Sequence, residues 1–358
     1  MEIADTLHKT LFIRFSSVGD IVLSSLLLRA FRNRFPSCRT DFLVKSEYAD
    51  LVRFSPYVST VMEFPGDGGF RDVWRLRQMI RNERYDLVVD IHNSTRSRIA
   101  SLGLRRVVRV NKRKLARFLL VNTKWNLYGR LGGALGIAER YLEPVRFLGV
   151  MNDGKGLEMF LPPRAGEESR DLLKREGVAA GELLIGVAPA ARHINKMWPA
   201  ERFAESVSAL AREKKASVLL FGFGREENLL CAGVQRTIGQ KSPGTRVVNF
   251  ADRLSIPLTV AMMDLCSVVL TNDSGLMHLA AARKRKVVAV FGPTVKELGF
   301  FPYGTEARVL EDTTVPCRPC THIGLERCPK GHFHCMMNIS PDKVTSAARD
   351  LLSATPVS

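Results

Sequence analysis

The chain has 358 residues, which is more than one hydrophobic core usually organises, so two domains are expected. Hydrophobic residues make up 46% of the chain and charged residues 25%, values close to those of soluble globular proteins, so a folded chain is expected and extensive disorder is not. The formal net charge of +17 favours an anionic partner, and the chain lacks the roughly 18 consecutive apolar residues that a membrane-spanning helix needs.

Short apolar strands alternate with amphipathic helices along the chain. Two acids at the start, Glu2 and Asp5, and Arg14 inside the first apolar run argue against a secretory signal, so a cytoplasmic protein is expected. Strands and helices are predicted over residues 10–15, 21–35, 41–44, 73–84 and 86–90, and again over 183–188, 199–214, 217–222, 268–271, from 275 on, and 287–291. This alternation is typical of an α/β protein with two parallel sheets.

A segment with two prolines and a glycine, residues 160–169, interrupts the periodicity and is predicted to be a linker. We therefore expect a first domain over residues 1–165 and a second over residues 166–358. Near the end, Ser340 followed by Pro341 is a typical helix start, so a last helix is predicted to run to about residue 352.

Two predicted loops lie at the carboxyl ends of strands, where open α/β sheets bind their ligands. The first contains Asp20, which is a candidate for catalysis or, alternatively, a cap of the following helix. The second runs from Asn272 to His278. The free amides at the helix start there, next to the small Gly275, could bind phosphate oxygens with the help of the helix dipole. The alternative is that Asp273 or Ser274 caps the helix and His278 packs internally.

Two further loops carry candidate ligand contacts. Lys196 follows a strand of the second domain and could meet a diphosphate as a point charge, or be a solvated lysine beside a buried Trp198. The run from Phe221 to Gly224 resembles half of a dinucleotide-binding fingerprint, but the third glycine is missing. We interpret it as a tight strand-to-helix turn from which Glu226 reaches a ribose.

Four of the seven cysteines lie close together in the sequence, with three histidines among them: Cys317, Cys320, Cys328 and Cys335. Their spacing suits zinc or an iron–sulfur group, whereas disulfides are not expected in a reducing cytosol. A structural cluster without metal is the alternative that we favour. The other three, Cys38, Cys231 and Cys266, are expected to pack as small apolar residues.

The stretch from Arg96 to Arg130 contains eleven basic residues and no acidic one. We expect four of them to bind an anionic acceptor on the first domain: Arg105, Arg106, Arg113 and Lys114. A solvated surface is the ordinary alternative. A nucleic-acid partner is not expected, because few aromatic residues interleave with the basic ones and no recognition motif is present.

Several of these segments together resemble glycosyltransferase family nine, the lipopolysaccharide heptosyltransferases. The resemblance spans nearly the whole chain and is carried by RFSSVGDIVL (14–23), KMWP (196–199), NDSGLMHLAAA (272–282), VAVFGPT (288–294) and the cysteine cluster. It implies the GT-B fold, with two facing Rossmann-like domains that hold the acceptor on the first and the donor nucleotide on the second. A last helix that packs back on the first domain is also compatible with it.

The resemblance further implies roles for single residues. Asp20 would be the general base of an inverting transfer that requires no metal and no cofactor. Lys196 and the amides of Ser274, Gly275 and Leu276 would hold the diphosphate, and Asp273 and His278 would contact the donor. The implied partners are ADP-heptose, a lipid A-linked core oligosaccharide and the anionic inner face of the inner membrane. The alternative within this fold is a different sugar nucleotide.

Overall fold

The computed structural model describes residues 7–66, 68–131 and 133–354. The described chain forms two compact units. The first contains the residues up to Arg113 together with Leu135–Phe160, and the second contains Lys114–Ala134 together with the chain from Leu161 onward. Among the described residues, no helix has both the length and the apolar character that crossing a bilayer requires.

The first unit is built on a five-stranded parallel sheet with the strand order β3-β2-β1-β4-β5. Its elements are β1 (Lys9–Ile13), α1 (Val18–Leu23), α2 (Ser25–Arg34), β2 (Arg39–Lys45), β3 (Thr60–Phe64), α3 (Phe70–Asn82), β4 (Leu87–Asp90), α4 (Thr95–Ala100) and β5 (Val107–Arg109). After α5 (Lys114–Thr123), which belongs to the second unit, comes α6 (Ile137–Arg140). The central strands are almost entirely buried, as expected when helices cover both faces of a parallel sheet.

Two features of this sheet differ from the sequence prediction. The helix predicted over residues 21–35 is interrupted at Ser24, whose hydroxyl donates to the carbonyl of Ile21 at 2.6 Å and competes with the regular helical bonding. The edge strands β3 and β5 were not predicted. Most of their residues are half-buried or exposed, so they lack the apolar run that marked the buried strands.

The second unit is built on a six-stranded parallel sheet with the strand order β11-β10-β9-β6-β7-β8. Its elements are α7 (Ala165–Arg175), β6 (Leu184–Ala188), α8 (Ala200–Lys214), β7 (Ser217–Leu220), α9 (Gly224–Lys241), β8 (Val247–Asn249), α10 (Ile256–Met263), β9 (Val268–Asn272), α11 (Gly275–Ala282), β10 (Val287–Phe291), β11 (Ala307–Glu311), α12 (His334–Met337) and α13 (Pro341–Ser353). The predicted α/β class with two parallel sheets is therefore confirmed.

The division of the chain is more complex than one boundary near residue 165. Residues 114–134 leave the first unit and pack on the second, because Ala116 and Leu120 of α5 share a small apolar core with Tyr128 and Leu298. At its end, the Nζ of Lys124 donates to the carbonyl of Pro319 at 2.6 Å. The prediction had assigned this whole segment to the first domain.

The last helix begins where the sequence predicted. Pro341 occupies its first turn, and the hydroxyl of Ser340 accepts a hydrogen bond from the amide of Lys343 at 3.4 Å. The helix belongs to the second unit. Its apolar face, which includes Val344, Ala348 and Leu351, is part of the core of the second unit, so the helix covers the second sheet.

Candidate functional site

Asp20 lies in the first turn of α1, the helix that follows β1, and its side chain is 19% exposed. The N-cap position of this helix is Ser17, so Asp20 is not the capping residue. Its carboxylate is held by a cation and two hydroxyls. Arg14 Nη2 lies 2.6 Å from Oδ2, Ser17 donates to Oδ2 at 3.1 Å, and Tyr141 donates to Oδ1 at 3.0 Å. Asp20 is therefore held in a fixed orientation at the carboxyl edge of the sheet, where open α/β sheets bind their ligands.

Tyr141 and Arg14, which hold the carboxylate of Asp20, have their own protonation state or position set by their surroundings. Burial raises the pKa of Tyr141 well above its usual value, so the phenol keeps its proton and remains a donor to Asp20. Burial, the largest single effect, lowers the pKa of Arg14, but the charge and hydrogen bond of Asp20 together with Tyr141 and Asp90 outweigh it, so the pKa is raised. Arg14 Nη1 also donates to the carbonyl of Ile91 at 2.9 Å, which fixes the guanidinium to the end of β4.

A cavity of about 590 Å³ opens at the same edge of the first sheet. Its wall includes Ser16 after β1, Lys45 at the end of β2, His92 after β4, and Arg96 in α4. Burial and the nearby cation of Arg14 lower the pKa of His92 to about 3, so its imidazole is neutral near pH 7. The cavity thus combines two cationic side chains with a neutral ring that can hydrogen-bond. The sequence analysis had not singled out Lys45 or His92.

In the second unit, three residues that lie far apart in the sequence form one buried cluster. Lys196 Nζ lies 2.6 Å from Asp273 Oδ2, and the hydroxyl of Thr294 donates to the same oxygen at 2.7 Å. The side chains of Lys196 and Asp273 are 12% and 5% exposed. Lys196 is therefore not a solvated surface lysine, and Asp273 acts on it at close range.

Asn272 connects the loop of Lys196 to the end of β9. Its side-chain amide donates to the carbonyl of Pro189 at 2.7 Å, and its Oδ1 accepts the amide of Trp198 at 3.0 Å. Trp198 is buried, as predicted, and its indole donates to the carbonyl of Ile339 at 3.2 Å. These bonds fix the backbone on both sides of Lys196.

The start of α11 follows this cluster directly. Ser274 is the N-cap but makes no side-chain capping bond, so the amides of the first turn depend on other acceptors. Gly275 is half-buried, whereas Leu276 and His278 are buried. The ring of His278 lies 6.4 Å from that of Phe300, which supports the alternative of an internally packed histidine. A lysine beside a helix start is an arrangement suited to phosphate.

Comparison with known proteins identifies the family. The model of Glycosyltransferase family 9 (heptosyltransferase) matches residues 73–329, which is well over half of the chain. The chain belongs to glycosyltransferase family 9. Lipooligosaccharide heptosyltransferase 2 of Haemophilus influenzae is 27% identical over 353 residues, covering 94% of this chain and 97% of that protein.

Two other relatives of this family 9 member support the assignment. Lipooligosaccharide heptosyltransferase 2 of Campylobacter jejuni is 34% identical over 173 residues, and the match spans about half of each chain, 48% of this one and 52% of that one. The structure of E. coli ADP-heptose lps heptosyltransferase II aligns with a TM-score of 0.71 at 22% identity, over 96% of this chain and 98% of that one. The chain is thus a glycosyltransferase, and the GT-B fold expected from the resemblance is confirmed.

The structure does not unite the four basic residues proposed for acceptor binding in this family 9 enzyme. Arg105 and Arg106 precede β5 and line a cavity with His8 and Asp86, which precede β1 and β4. This is the amino edge of the sheet, opposite to Asp20. Arg113 pairs with Glu143 at 2.7 Å and its side chain is only 8% exposed. Lys114 begins α5 in the second unit. A charge count along the sequence could not show this separation.

Glu226 is exposed in the first turn of α9, and its neighbour Glu227 is the residue that shapes the turn. Glu227 Oε2 accepts the amide of Phe223 at 2.7 Å, and burial raises the pKa of this carboxyl. A Cβ on Gly222 would lie 2.9 Å from the Cβ of Glu227, so only glycine fits there. The dinucleotide fingerprint would have a glycine at position 227. Here the carboxyl of Glu227 closes the loop by its bond to Phe223 instead.

The cysteine-containing segment of this glycosyltransferase supports the loop that carries Thr294. Arg318 is buried, and it donates to the carbonyls of Gly292 and Thr294 and pairs with Glu311 at 2.6 Å. Cys335 is part of the core of the second unit. All seven cysteines are free, and within the described ranges no group of three or more His, Cys, Asp and Glu residues is placed to hold a metal ion. The three isolated cysteines are buried, as predicted.

We expect Cys335→Ser to lower the free energy of unfolding by about 1–3 kcal/mol, because it buries a hydroxyl in an apolar core. Turnover at temperatures where the variant is folded should stay near normal. Denaturant unfolding and a transfer assay measure the two effects, with the half-buried Cys328→Ser as the milder control. Stoichiometric zinc or iron in protein purified without chelators would contradict a purely structural cluster.

Proposed function

We propose that this family 9 enzyme transfers a heptose from ADP-heptose to the inner core of lipopolysaccharide, with inversion at the anomeric carbon and without a metal ion. The observation that carries the proposal is the buried Lys196–Asp273–Thr294 cluster beside the start of α11, which suits a leaving diphosphate. The names of the relatives support the sugar and the acceptor, since they are lipooligosaccharide and lipopolysaccharide heptosyltransferases.

The proposed step is a single displacement. A hydroxyl of the acceptor attacks the anomeric carbon of the heptose, and the bond between that carbon and the phosphate oxygen of ADP breaks. The hydroxyl proton passes to the carboxylate of Asp20, and ADP leaves with the bonding electron pair. Attack opposite the leaving group inverts the anomeric configuration.

The negative charge that develops on ADP needs stabilisation, and residues of the second unit can supply it. Lys196 carries a positive charge, and the amides of Gly275 and Leu276 lie at the positive end of the α11 dipole. Asp273 and Thr294 then have a positioning role, because Asp273 contacts the lysine and Thr294 donates to Asp273. No step in this proposal uses a metal.

For the acceptor, we propose the cavity at the carboxyl edge of the first sheet instead of the four basic residues suggested by the sequence. Lys45 and Arg96 line it, and the inner core of lipopolysaccharide is anionic. It lies at the same edge of the sheet as Asp20, whereas Arg105 and Arg106 line the opposite edge. A lipid-linked acceptor also implies that transfer takes place at the inner face of the membrane.

Lys45→Met is expected to raise the KM for the acceptor about tenfold with kcat changed much less, since one charge-assisted contact contributes on the order of 1.5 kcal/mol. ADP affinity should be unchanged. The matched control is Arg105→Met, which removes a cation from the amino edge. If the control raised the acceptor KM and Lys45→Met did not, the acceptor site would lie at the other edge.

A product assay with purified protein tests the proposal as a whole. ADP-heptose and a truncated core acceptor should give a product heavier by one heptose and one equivalent of ADP, and EDTA should leave the rate unchanged. Other sugar nucleotides should give little product. Transfer from a different donor, retention of the anomeric configuration, or full inhibition by EDTA would each contradict the corresponding part of the proposal.

A further inference from the structure

An unusual apolar surface lies on the segment that packs against the second unit. Three large apolar side chains there are mostly exposed: Leu115 at 68%, Phe118 at 60% and Trp125 at 55%. Leu115 and Phe118 are three residues apart in α5 and so share one face of the helix. Trp125 lies two residues beyond the end of the helix, and we call the three side chains together the α5 ridge.

The α5 ridge is held firmly from beneath. The opposite face of α5 carries the buried residues Ala116 and Leu120, which pack against Tyr128 and Leu298. Lys124 closes the end of the helix by donating to the carbonyls of Val121, Cys317 and Pro319. The inner face of α5 is therefore packed against the second unit, and the ridge lies on its exposed face.

The charge around the ridge identifies the kind of surface that it fits. From Lys112 to Arg130 the sequence contains basic residues and no acidic one. Lys114 and Arg130 are exposed, and Arg117 is half-buried. The nearby acid Glu297 accepts a hydrogen bond from Asn126 at 3.1 Å. Aromatic and aliphatic side chains flanked by lysine and arginine are typical of helices that lie in the interface of an anionic bilayer.

The ridge is also connected to the proposed donor site by hydrogen bonds within the same unit. Lys124, just after the end of α5, donates to the carbonyl of Pro319 at 2.6 Å. The neighbouring Arg318 donates to the carbonyl of Thr294 at 2.8 Å, and Thr294 belongs to the cluster that contains Lys196. A surface that binds lipid there would bring the membrane to the place where sugar is transferred.

We propose that the α5 ridge, with the basic residues beside it, docks the enzyme on an anionic phospholipid surface by inserting Leu115, Phe118 and Trp125 among the headgroups. The inference rests on the proposed function only in that a lipid-linked acceptor gives such docking a purpose. Binding itself requires no sugar nucleotide and no acceptor, and should weaken as ionic strength rises.

Sedimentation with vesicles containing phosphatidylglycerol tests the proposal. The variant Leu115→Ser/Phe118→Ser/Trp125→Ser should bind at least about tenfold more weakly than the unmodified protein. The matched control, Trp74→Ser/Met79→Ser/Phe147→Ser, removes three apolar side chains of 44%, 57% and 64% exposure from the first unit and should bind normally. Equal binding by the ridge variant, or no binding by the unmodified protein, would overturn the proposal.

Fluorescence gives a second readout that a loss of stability would not imitate. The chain has three tryptophans, and Trp198 is buried, so in a Trp74→Phe background Trp125 is the tryptophan that can report on lipid. Its emission should shift to shorter wavelength on vesicles and be quenched by brominated lipid. An unchanged spectrum on vesicles that bind the protein would place the contact elsewhere.

Two further measurements separate this proposal from others. If the ridge variant changed the molecular mass in solution, the ridge would be an interface between copies of the chain and the lipid proposal would fail. Transfer to a soluble, deacylated core acceptor should be equal in the ridge variant and the unmodified protein. Absence of transfer in both, with vesicle binding intact, would count against the proposed function alone.

Discussion

Replacing Asp20 by asparagine is expected to lower kcat by about 10²- to 10⁴-fold, the usual contribution of a general base. Asparagine preserves the shape of the side chain and can still accept from Tyr141, but it cannot take the proton of the acceptor hydroxyl. Because the base acts in the transition state, the affinity for ADP should change by no more than a few fold. Single-turnover rates and calorimetric titration with ADP measure the two quantities.

The Asp20→Asn variant must also be checked for stability, because Arg14 is buried and pairs with Asp20 at 2.6 Å. Removing the carboxylate leaves that cation without its counter-charge, so some loss of stability is expected. Rates are therefore compared well below the melting temperature of each protein. Tyr141→Phe removes one hydrogen bond and keeps the carboxylate, and it should reduce kcat far less. A near-normal kcat in Asp20→Asn would show that another group is the base.

Replacing Lys196 by alanine is expected to weaken ADP binding by about 10- to 100-fold, since a hydrogen bond to a charged group contributes about 1.5–3 kcal/mol. Turnover should fall as well, because the same cation faces the diphosphate in the ground state and the departing ADP in the transition state. Both effects are measured by ADP titration and steady-state kinetics. The exposed Lys241→Ala is the matched control for loss of a positive charge on the same unit.

The variant Lys196→Ala leaves the carboxylate of Asp273, only 5% exposed, without its cation. Destabilisation and weaker ADP binding could then be confused. The double variant Lys196→Met/Asp273→Asn removes both charges, so it should recover stability relative to Lys196→Ala while ADP binding stays weak. If ADP affinity recovered together with stability, Lys196 would be a structural residue and the diphosphate would bind elsewhere.

The sequence predicted which loops carry the candidate residues better than it predicted which of these residues contact each other. Asp20, Lys196 and Asp273 could be proposed from the sequence because each follows the carboxyl end of an apolar strand, a position set by local pattern. The pairing of Lys196 with Asp273 was not predicted. Lys196 follows β6 and Asp273 follows β9, and the two residues meet because these strands are neighbours in the sheet. The local hydrophobic pattern predicts where strands occur, but it does not predict their order in a sheet.

In the basic stretch from Arg96 to Arg130, residues that are close in sequence lie apart in the structure. Its eleven cations lie within one short stretch of sequence, but the chain passes from one unit to the other between them. Arg106 consequently lies at the amino edge of the first sheet, Arg113 is paired with Glu143, and Lys114 belongs to the second unit. Linear charge density predicts the sign of the partner, but it cannot predict which surface meets that partner.

The path of the chain between the two units constrains how family 9 enzymes can be recombined. A chimera joined only at residue 160 would combine residues 114–134 of one parent with the second unit of the other. Ala116, Leu120 and Tyr128 would then meet a foreign partner in place of Leu298, and Lys124 would meet foreign carbonyls. Exchange of donor specificity between relatives should therefore succeed when residues 114–134 are transplanted together with residues 161–354, and yield poorly folded protein when they are left behind.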